Sequence, residues 1–478
     1  MSAQPQAASA EMVVARLERL SVWSLPYLYL GIIGVGFLFT FYDIFDINVS
    51  FIQTCAQIVP ACKPETAASF IGVPVLLNLA GYVIGTLVLS PVADTVGRRN
   101  LLLVTMVITG LGSLFNAFVA DYSWFNAARF VTGIGIGADL AVVNVYVNEM
   151  APTRERARYT SAVFTFSAVG AVLGIWLGLL LTTPPTPFPL GLPFAIAGEH
   201  FAEGWRIMYA VGALLAVIGI VMRVRLPESP RWLLSRGRRA EAAAVVAEME
   251  RHAAARGPLA EPKPEGVRVE AEARYGMTYA EIFANPTYLK RTLVLFVMWF
   301  LAYVTVYGFA AGFTSVLSAS GYPPPEAGLI TAFGTFGFVL CALTAAWLGE
   351  HLERKLWLPI AAVITIAGGV LLALAGERFG LSILGSIIVF FGFNLWVPLA
   401  YSWSTESYPA RARTTGFALV DGVGHLGGGI GLILIAPLIP RIGPLGAMLL
   451  ISVFLLVAAI VAQGGARTRG LPLHEISP

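Results

Sequence analysis

The sequence predicts an all-α membrane protein of twelve transmembrane helices arranged in two pseudo-symmetric six-helix halves, and three observations carry that expectation. Of 478 residues, 57% are hydrophobic and only 12% charged, about half the charged share of an ordinary soluble domain. Such a chain cannot cover itself with a water-facing surface. Uncharged apolar stretches of about 20 residues, enough for a hydrocarbon core of about 30 Å, recur about twelve times. They centre near residues 38, 80, 110, 136, 171, 214, 304, 337, 366, 391, 427 and 452. The third observation is a repeat. "NEMAPTRERAR" (Asn148–Arg158) and "TESYPARARTT" (Thr405–Thr415) both read E-x-x-P-x-R-x-R, so Glu149, Pro152, Arg154 and Arg156 are answered by Glu406, Pro409, Arg411 and Arg413 at an offset of 257.

A second motif obeys nearly the same offset. "ADTVGRR" (Ala93–Arg99) and "GEHLERK" (Gly349–Lys355) match Asp94 with Glu350, Arg98 with Arg354 and Arg99 with Lys355 at 256, and Gly170 and Gly174 map onto Gly427 and Gly431 at 257. Two independent motifs at one offset imply duplicated halves. Because both copies keep the same side, the repeats are parallel, and such repeats place a transporter's substrate site near the midplane between halves.

In chain order, the expected organisation is a cytoplasmic tail (1–24), a first six-helix half (25–222), a cytoplasmic central segment (223–290), a second half (291–463) and a cytoplasmic tail (464–478). In the central segment "SRGRRAEAAAVVAEMERHAAAR" reads as a surface helix and "GPLAEPKPEG" as a linker. Arginine and lysine alternate cleanly between sides: Arg16, Arg98, Arg99, Arg154, Arg354, Lys355, Arg411 and Arg469 fall on one, and little beyond Lys63, Arg206, Arg378 and Arg441 on the other. Positive loops stay cytoplasmic, so both termini are expected inside a plasma or inner membrane. The polar N-terminus and full-length first span show no cleavable signal. The net charge of +3 reflects topology, with the lipid bilayer and not a nucleic acid as the partner. Cys55 and Cys62 share the first outer loop, where they either form a disulfide or stay free.

These residues resemble a family. "SPVADTVGRRN" resembles the G-x-L-x-D-x-x-G-R-R loop motif of the major facilitator superfamily, "RFVTGIGIG" its R-x-x-x-G-x-G-x-G fourth helix, and "PESPRWLL" (Pro227–Leu234) the signature after span six in sugar porters and related metabolite symporters. "DIFD" (Asp43–Asp46) is similar to the D-G-F-D of aromatic-acid and related organic-acid symporters, with Ile44 in place of the glycine. The paired glutamines that sugar porters place in span seven are missing from "MWFLAYVTVYGF", which argues against a hexose pocket. The resemblance implies a major facilitator fold and an acid of span one facing the span-four arginine, as in proton-coupled porters.

Charges inside a bilayer cost about 2.5–3.5 kcal/mol each on insertion scales, so each is a functional suspect. Here they are Asp43, Asp46, Arg129, Asp139 and Asp421. The first four are read as the proton-coupling set. Asp421 and His425, at i and i+4 on span eleven, read as structural. The repeat offset sets Phe300, Tyr303 and Trp396 opposite Asp43, Asp46 and Asp139, so titratable groups should gather in one half and rings in the other, with Trp299, Tyr303, Tyr307, Asn394 and Trp396 lining the substrate side. Asp94, Gly97, Arg98, Arg99, Glu149, Arg154, Arg156, Glu350, Arg354, Glu406, Arg411 and Arg413 are read as a cytoplasmic gate whose carboxylate–guanidinium bonds hold helix ends together.

The function expected is therefore secondary active transport of a small organic solute, a monocarboxylate such as an aromatic acid or a sugar or polyol; a dianionic phosphate ester would call for two or more deep cations, and Arg129 is the one counted. Proton symport by alternating access in a monomer is favoured over a uniporter, which needs no buried acids, and over a membrane sensor on the same fold. Nothing resembles a nucleotide-binding loop. No enzymatic activity, cofactor or metal is expected.

Overall fold

The computed structural model describes residues 9–20, 27–152, 156–264, 279–409, 412–469 and 476, with all side chains except those of 27–30, 94, 148, 156–157 and 413–414. Arg154 and Arg411 thus lie outside the described residues, as do the side chains of Asp94, Arg156 and Arg413. Among the described residues 11 helices are long and apolar enough to cross a membrane. Spans 1 to 6 are Gly31–Ile58, Pro64–Leu89, Arg98–Phe118, Tyr122–Val147, Arg158–Thr182 and Gly204–Arg223; spans 7 to 10 are Pro286–Ala310, Pro324–Leu348, Arg354–Ala373 and Phe379–Glu406. The last helix, Thr415–Ala462, has 48 residues, which at 1.5 Å per residue is about twice the hydrocarbon thickness. Gly443 breaks it, with φ of 67° immediately before Pro444, a backbone conformation that only glycine adopts freely. Spans 11 (415–442) and 12 (444–462) complete the twelve.

Local chemistry fixes where the spans begin. Asp121 caps span 4 by accepting from the amides of Ser123 and Trp124 at 2.8 and 3.0 Å, and Asn285 caps span 7 in the same way, with Pro286 in the first turn. Both devices satisfy amides that a helix start leaves without partners. Two spans carry a π-helical turn, Gly85–Leu89 in span 2 and Ala418–Gly422 in span 11. Large apolar side chains such as Leu111, Val221, Val363 and Ile460 face outward, where lipid replaces water as their solvent.

Packing repeats between the halves. Span 1 packs on 5 and 6, span 2 on 4, and span 3 on 4 and 6; span 7 packs on 11 and 12, span 8 on 10, and span 9 on 10 and 12. The repeat-related glycines occupy matching close approaches: a Cβ on Gly170 would lie 2.1 Å from the Leu38 carbonyl of span 1, and one on Gly427 would lie 2.0 Å from the Phe300 carbonyl of span 7. The halves meet where span 2 lies on span 11 and span 5 on span 8.

Outside the spans, the tail helix Ala10–Glu18 lies on the central helix Arg239–Ala254. Val13 and Leu17 are buried there, and Arg16 and Arg19 both donate to Glu250. Burial opposes charge on that carboxyl, but the two guanidiniums outweigh it and hold Glu250 below the usual carboxylate range. Cys55 and Cys62 are joined, with Cα atoms 5.8 Å apart, at the end opposite the arginine-rich motifs.

Candidate functional site

Span 1 presents Asp43 and Asp46 inward, one turn apart and both fully buried. Arg129 of span 4 reaches them: Nη1 lies 3.2 Å from Asp43 Oδ2 and 3.7 Å from Asp46 Oδ1, and the guanidinium also donates to the Asp43 backbone carbonyl at 3.2 Å. Ser113 of span 3 donates to Asp43 Oδ1 at 2.8 Å. Asp43 is therefore bonded on both oxygens, whereas neither oxygen of Asp46 has a hydrogen-bond partner among the described residues. Two carboxyl groups share one cation, so in a dry site a single guanidinium balances one carboxylate and leaves the other to be balanced by a proton.

Asp139, grouped with these three by its expected role and placed nearer the middle of the membrane, stands apart from them in the structure. It forms a separate two-point pair with Arg223, the last residue of span 6, whose Nη2 lies 2.9 Å from Asp139 Oδ2 and whose Nη1 also donates to it. Thr105 adds a donor at 2.7 Å, and Arg223 Nη1 bonds the Leu102 carbonyl at 2.9 Å. Arg223 escaped the sequence reading because it was counted among the loop arginines of the central segment. A buried acid without a partner in its own half was the signal that pointed to it.

In the second half, Trp299 is the centre of a ring cluster. Its centroid is 4.9 Å from Trp396, 5.0 Å from Tyr303 and 5.4 Å from Tyr401, and its indole N–H donates to Ser404 at 2.9 Å. Tyr307 continues the row 5.8 Å from Tyr303. Asn394 is buried but turns back on its own helix, donating to the Phe390 carbonyl at 3.4 Å. Phe300 points away, half-buried beside Phe296.

The expected separation of titratable groups from rings does not hold. Asp421 and His425 sit within the ring cluster, because span 11 packs directly on span 7. Tyr303 donates to Asp421 Oδ1, and Tyr82, from span 2 of the other half, donates to Oδ2 at 2.9 Å. The His425 ring lies between the same two tyrosines, stacked on Tyr82 and tilted against Tyr303, 3.8 Å from each. Its Nδ1 lies 2.7 Å from the Asp421 carbonyl, and since a carbonyl can only accept, Nδ1 carries the proton. Tyr82 was missed from sequence, where it is one hydroxyl in an otherwise apolar run.

The two loop motifs meet within each half. Arg98 Nη2 bonds Glu149 at 2.9 Å while Nη1 bonds the carbonyl five residues earlier, Ala93, at 2.9 Å. In the second half Arg354 Nη2 bonds Glu350 at 2.9 Å and lies 3.5 Å from Glu406, while Nη1 bonds Gly349, again five residues earlier, at 3.0 Å. These bonds tie helix ends inside a half, not one half to the other. Gly97, at φ of 96°, turns the chain into span 3. Glu228 of the "PESPRWLL" segment caps that helix by accepting from the amides of Arg98 and Arg99 at 3.0 and 3.3 Å. Burial pushes its carboxyl up against the pull of those donors.

The family described as "Sugar (and other) transporter" matches residues 30–478. The niacin transporter NiaP of Acinetobacter baylyi is 27% identical over 97% of this chain and 99% of its own length. The 4-hydroxybenzoate transporter PcaK of Pseudomonas aeruginosa is 28% identical over 74% of each chain. Among solved structures, the partially occluded, inward-open xylose transporter XylE from E. coli superposes with a TM-score of 0.67 at 17% identity, covering 95% of this chain and 100% of that one.

Proposed function

We propose, since this chain belongs to the Sugar (and other) transporter family and is therefore a membrane transporter and not an enzyme, that its cargo is a small aromatic monocarboxylate moved together with a proton. The observation that carries this reading is the buried trio in which Asp43 and Asp46 share Arg129. With Asp46 already neutral, a proton taken by Asp43 frees the guanidinium for a cargo carboxylate, and loss of that proton returns Arg129 to Asp43 and displaces the cargo. Arg129 can grip only one carboxylate firmly at a time, so proton and anion travel together. The rings of Trp299, Trp396, Tyr303 and Tyr401 suit a flat aromatic cargo. The likeness to carriers of niacin and 4-hydroxybenzoate supports the same class over a sugar.

The chain works as a monomer in the plasma membrane, with the arginine-rich end and both termini in the cytoplasm. The Lys/Arg asymmetry supports this orientation, as does the Cys55–Cys62 disulfide at the other end, which suits an oxidising exterior.

Proteoliposomes test the coupling with labelled 4-hydroxybenzoate and nicotinate. One proton moving with one monoanion carries no net charge, so the pH difference alone drives uptake, at about 1.4 kcal/mol and hence about tenfold accumulation per pH unit. Asp43→Asn, at the aspartate that Arg129 holds, should abolish accumulation driven by the pH gradient and keep counterflow exchange. Wild-type accumulation in Asp43→Asn, Asp46→Asn and the double variant refutes the assignment.

A further inference from the structure

We propose that Asp421 is a second proton-carrying group, in the second half, and that Tyr82 latches the two halves together while Asp421 is unprotonated. The reading of the trio on span 1 leaves this cluster without a task, yet it is built with more care than a packing contact requires. The groups facing Asp421 are Tyr82 from span 2, Tyr303 and Tyr307 from span 7, Tyr401 from span 10 and His425 on its own helix. All are buried, and no lysine or arginine bonds this carboxylate among the described residues.

In the closed arrangement each carboxylate oxygen accepts one tyrosine O–H, so Asp421 is satisfied without a proton of its own. The tyrosines belong to different halves. Rocking that separates span 2 from span 11 takes the Tyr82 hydroxyl away while Tyr303, Tyr307, Tyr401 and the His425 ring of the same half still enclose the carboxylate, so Oδ2 loses its donor without full hydration in exchange. A proton from the water that enters the opened side then bonds to Oδ2 and replaces the lost hydrogen; on closing, that proton returns to water and Tyr82 donates again. Opening is thus accompanied by uptake of one proton and closing by its release.

The backbone at this contact is unusual on both sides. Asp421 lies in the π-helical turn Ala418–Gly422, which packs against the π-helical turn Gly85–Leu89 just beyond Tyr82. Such turns widen a helix by one residue and are frequent at functional sites. Gly422 lets them close up, because a Cβ there would lie 2.9 Å from the Thr86 side chain. His425 is the positioning residue: wedged between both tyrosines, it sets the spacing at which their hydroxyls reach one carboxylate.

The latch deepens the proton-coupled reading but can be tested without a gradient or a cargo, so the two fail separately. Nitroxide labels on Thr95→Cys and His351→Cys, exposed positions at the arginine-rich end of the two halves, report their separation by pulsed electron resonance in vesicles at one uniform pH. In the wild-type background the separated population should grow as pH falls, by up to about tenfold per unit for one linked proton. Tyr82→Phe, which keeps the ring and removes the donor, and Asp421→Asn should both flatten that slope, and Tyr82→Phe should enlarge the separated population at high pH. Should Asp421→Asn not fold, Tyr82→Phe decides alone. A distribution unchanged between pH 5 and 9 in the parent, or a parental slope in Tyr82→Phe, overturns the proposal. So does a slope abolished by His425→Phe but retained in Asp421→Asn.

Discussion

Replacing Arg223 by methionine keeps the length and apolar stem of the side chain and removes the charge that faces Asp139. In the structure that carboxylate receives two guanidinium bonds and one from Thr105; the variant leaves it, still buried, with the threonine alone. Breaking a buried ion pair from one side costs about 3–5 kcal/mol, because the remaining charge loses its compensation. At roughly 2–4 °C per kcal/mol for a unit of about 200 residues, such as one half, the unfolding midpoint should fall on the order of 10 °C. Arg223→Met with Asp139→Asn removes both charges, and most of the loss should return. Heating in detergent followed by size-exclusion chromatography gives the order: wild type, then the double variant, then the single one. The same double variant, assayed in proteoliposomes, should still accumulate cargo against a gradient, since the trio on span 1 is intact. A single variant as stable as the double one refutes the pairing argument. A stable double variant that exchanges but cannot accumulate would make Asp139 the proton carrier.

Two further outcomes follow from the network at the arginine-rich end and from the orientation. Arg98→Ala removes the bond from span 3 to Glu149 together with the bond to the Ala93 carbonyl; transport should slow several-fold with cargo affinity little changed, and Arg354→Ala should do the same in the other half. A fall in affinity with turnover preserved would show that these arginines act on the cargo site. Cysteine labels placed at Leu190, exposed near the disulfide end, should react in intact cells, whereas a label at Arg239, exposed on the central helix, should react only after permeabilisation; the opposite pattern would invert the orientation.

The fold was legible because bilayer physics writes it in long uncharged runs and because a duplication wrote it twice. Glu149 and Glu406, Arg98 and Arg354, and Gly170 and Gly427 could be paired from numbers alone, and each pair occupies matching surroundings. The trio was legible for the same reason, since a charge in a span must find a partner and Arg129 was the one at the right depth. What could not be read was azimuth. Depth follows from counting residues, but the direction in which a side chain leaves its helix depends on which neighbour packs there. Asp139 and Asp43 both belong to the first half, yet one turns toward span 6 and the other toward span 4. Asn394 turns onto its own helix, and Asp421 meets a tyrosine 339 positions away, a contact that no local spacing announces.

The pattern of contacts between the halves has an evolutionary consequence. Span 2 touches span 11, and span 5 touches span 8; under the repeat, span 2 corresponds to span 8 and span 5 to span 11. Each contact is therefore the image of the other, which is the isologous arrangement of a two-fold homodimer. The chain is built as a six-helix dimer fused end to end. In an unfused dimer every substitution appears on both sides of the axis at once, so an aspartate gained in one copy would also be imposed on the other. Fusion releases that constraint. It allowed "DIFD" (Asp43–Asp46) to stand in the first copy while the corresponding stretch of the second, Phe300–Tyr303, carries no acid.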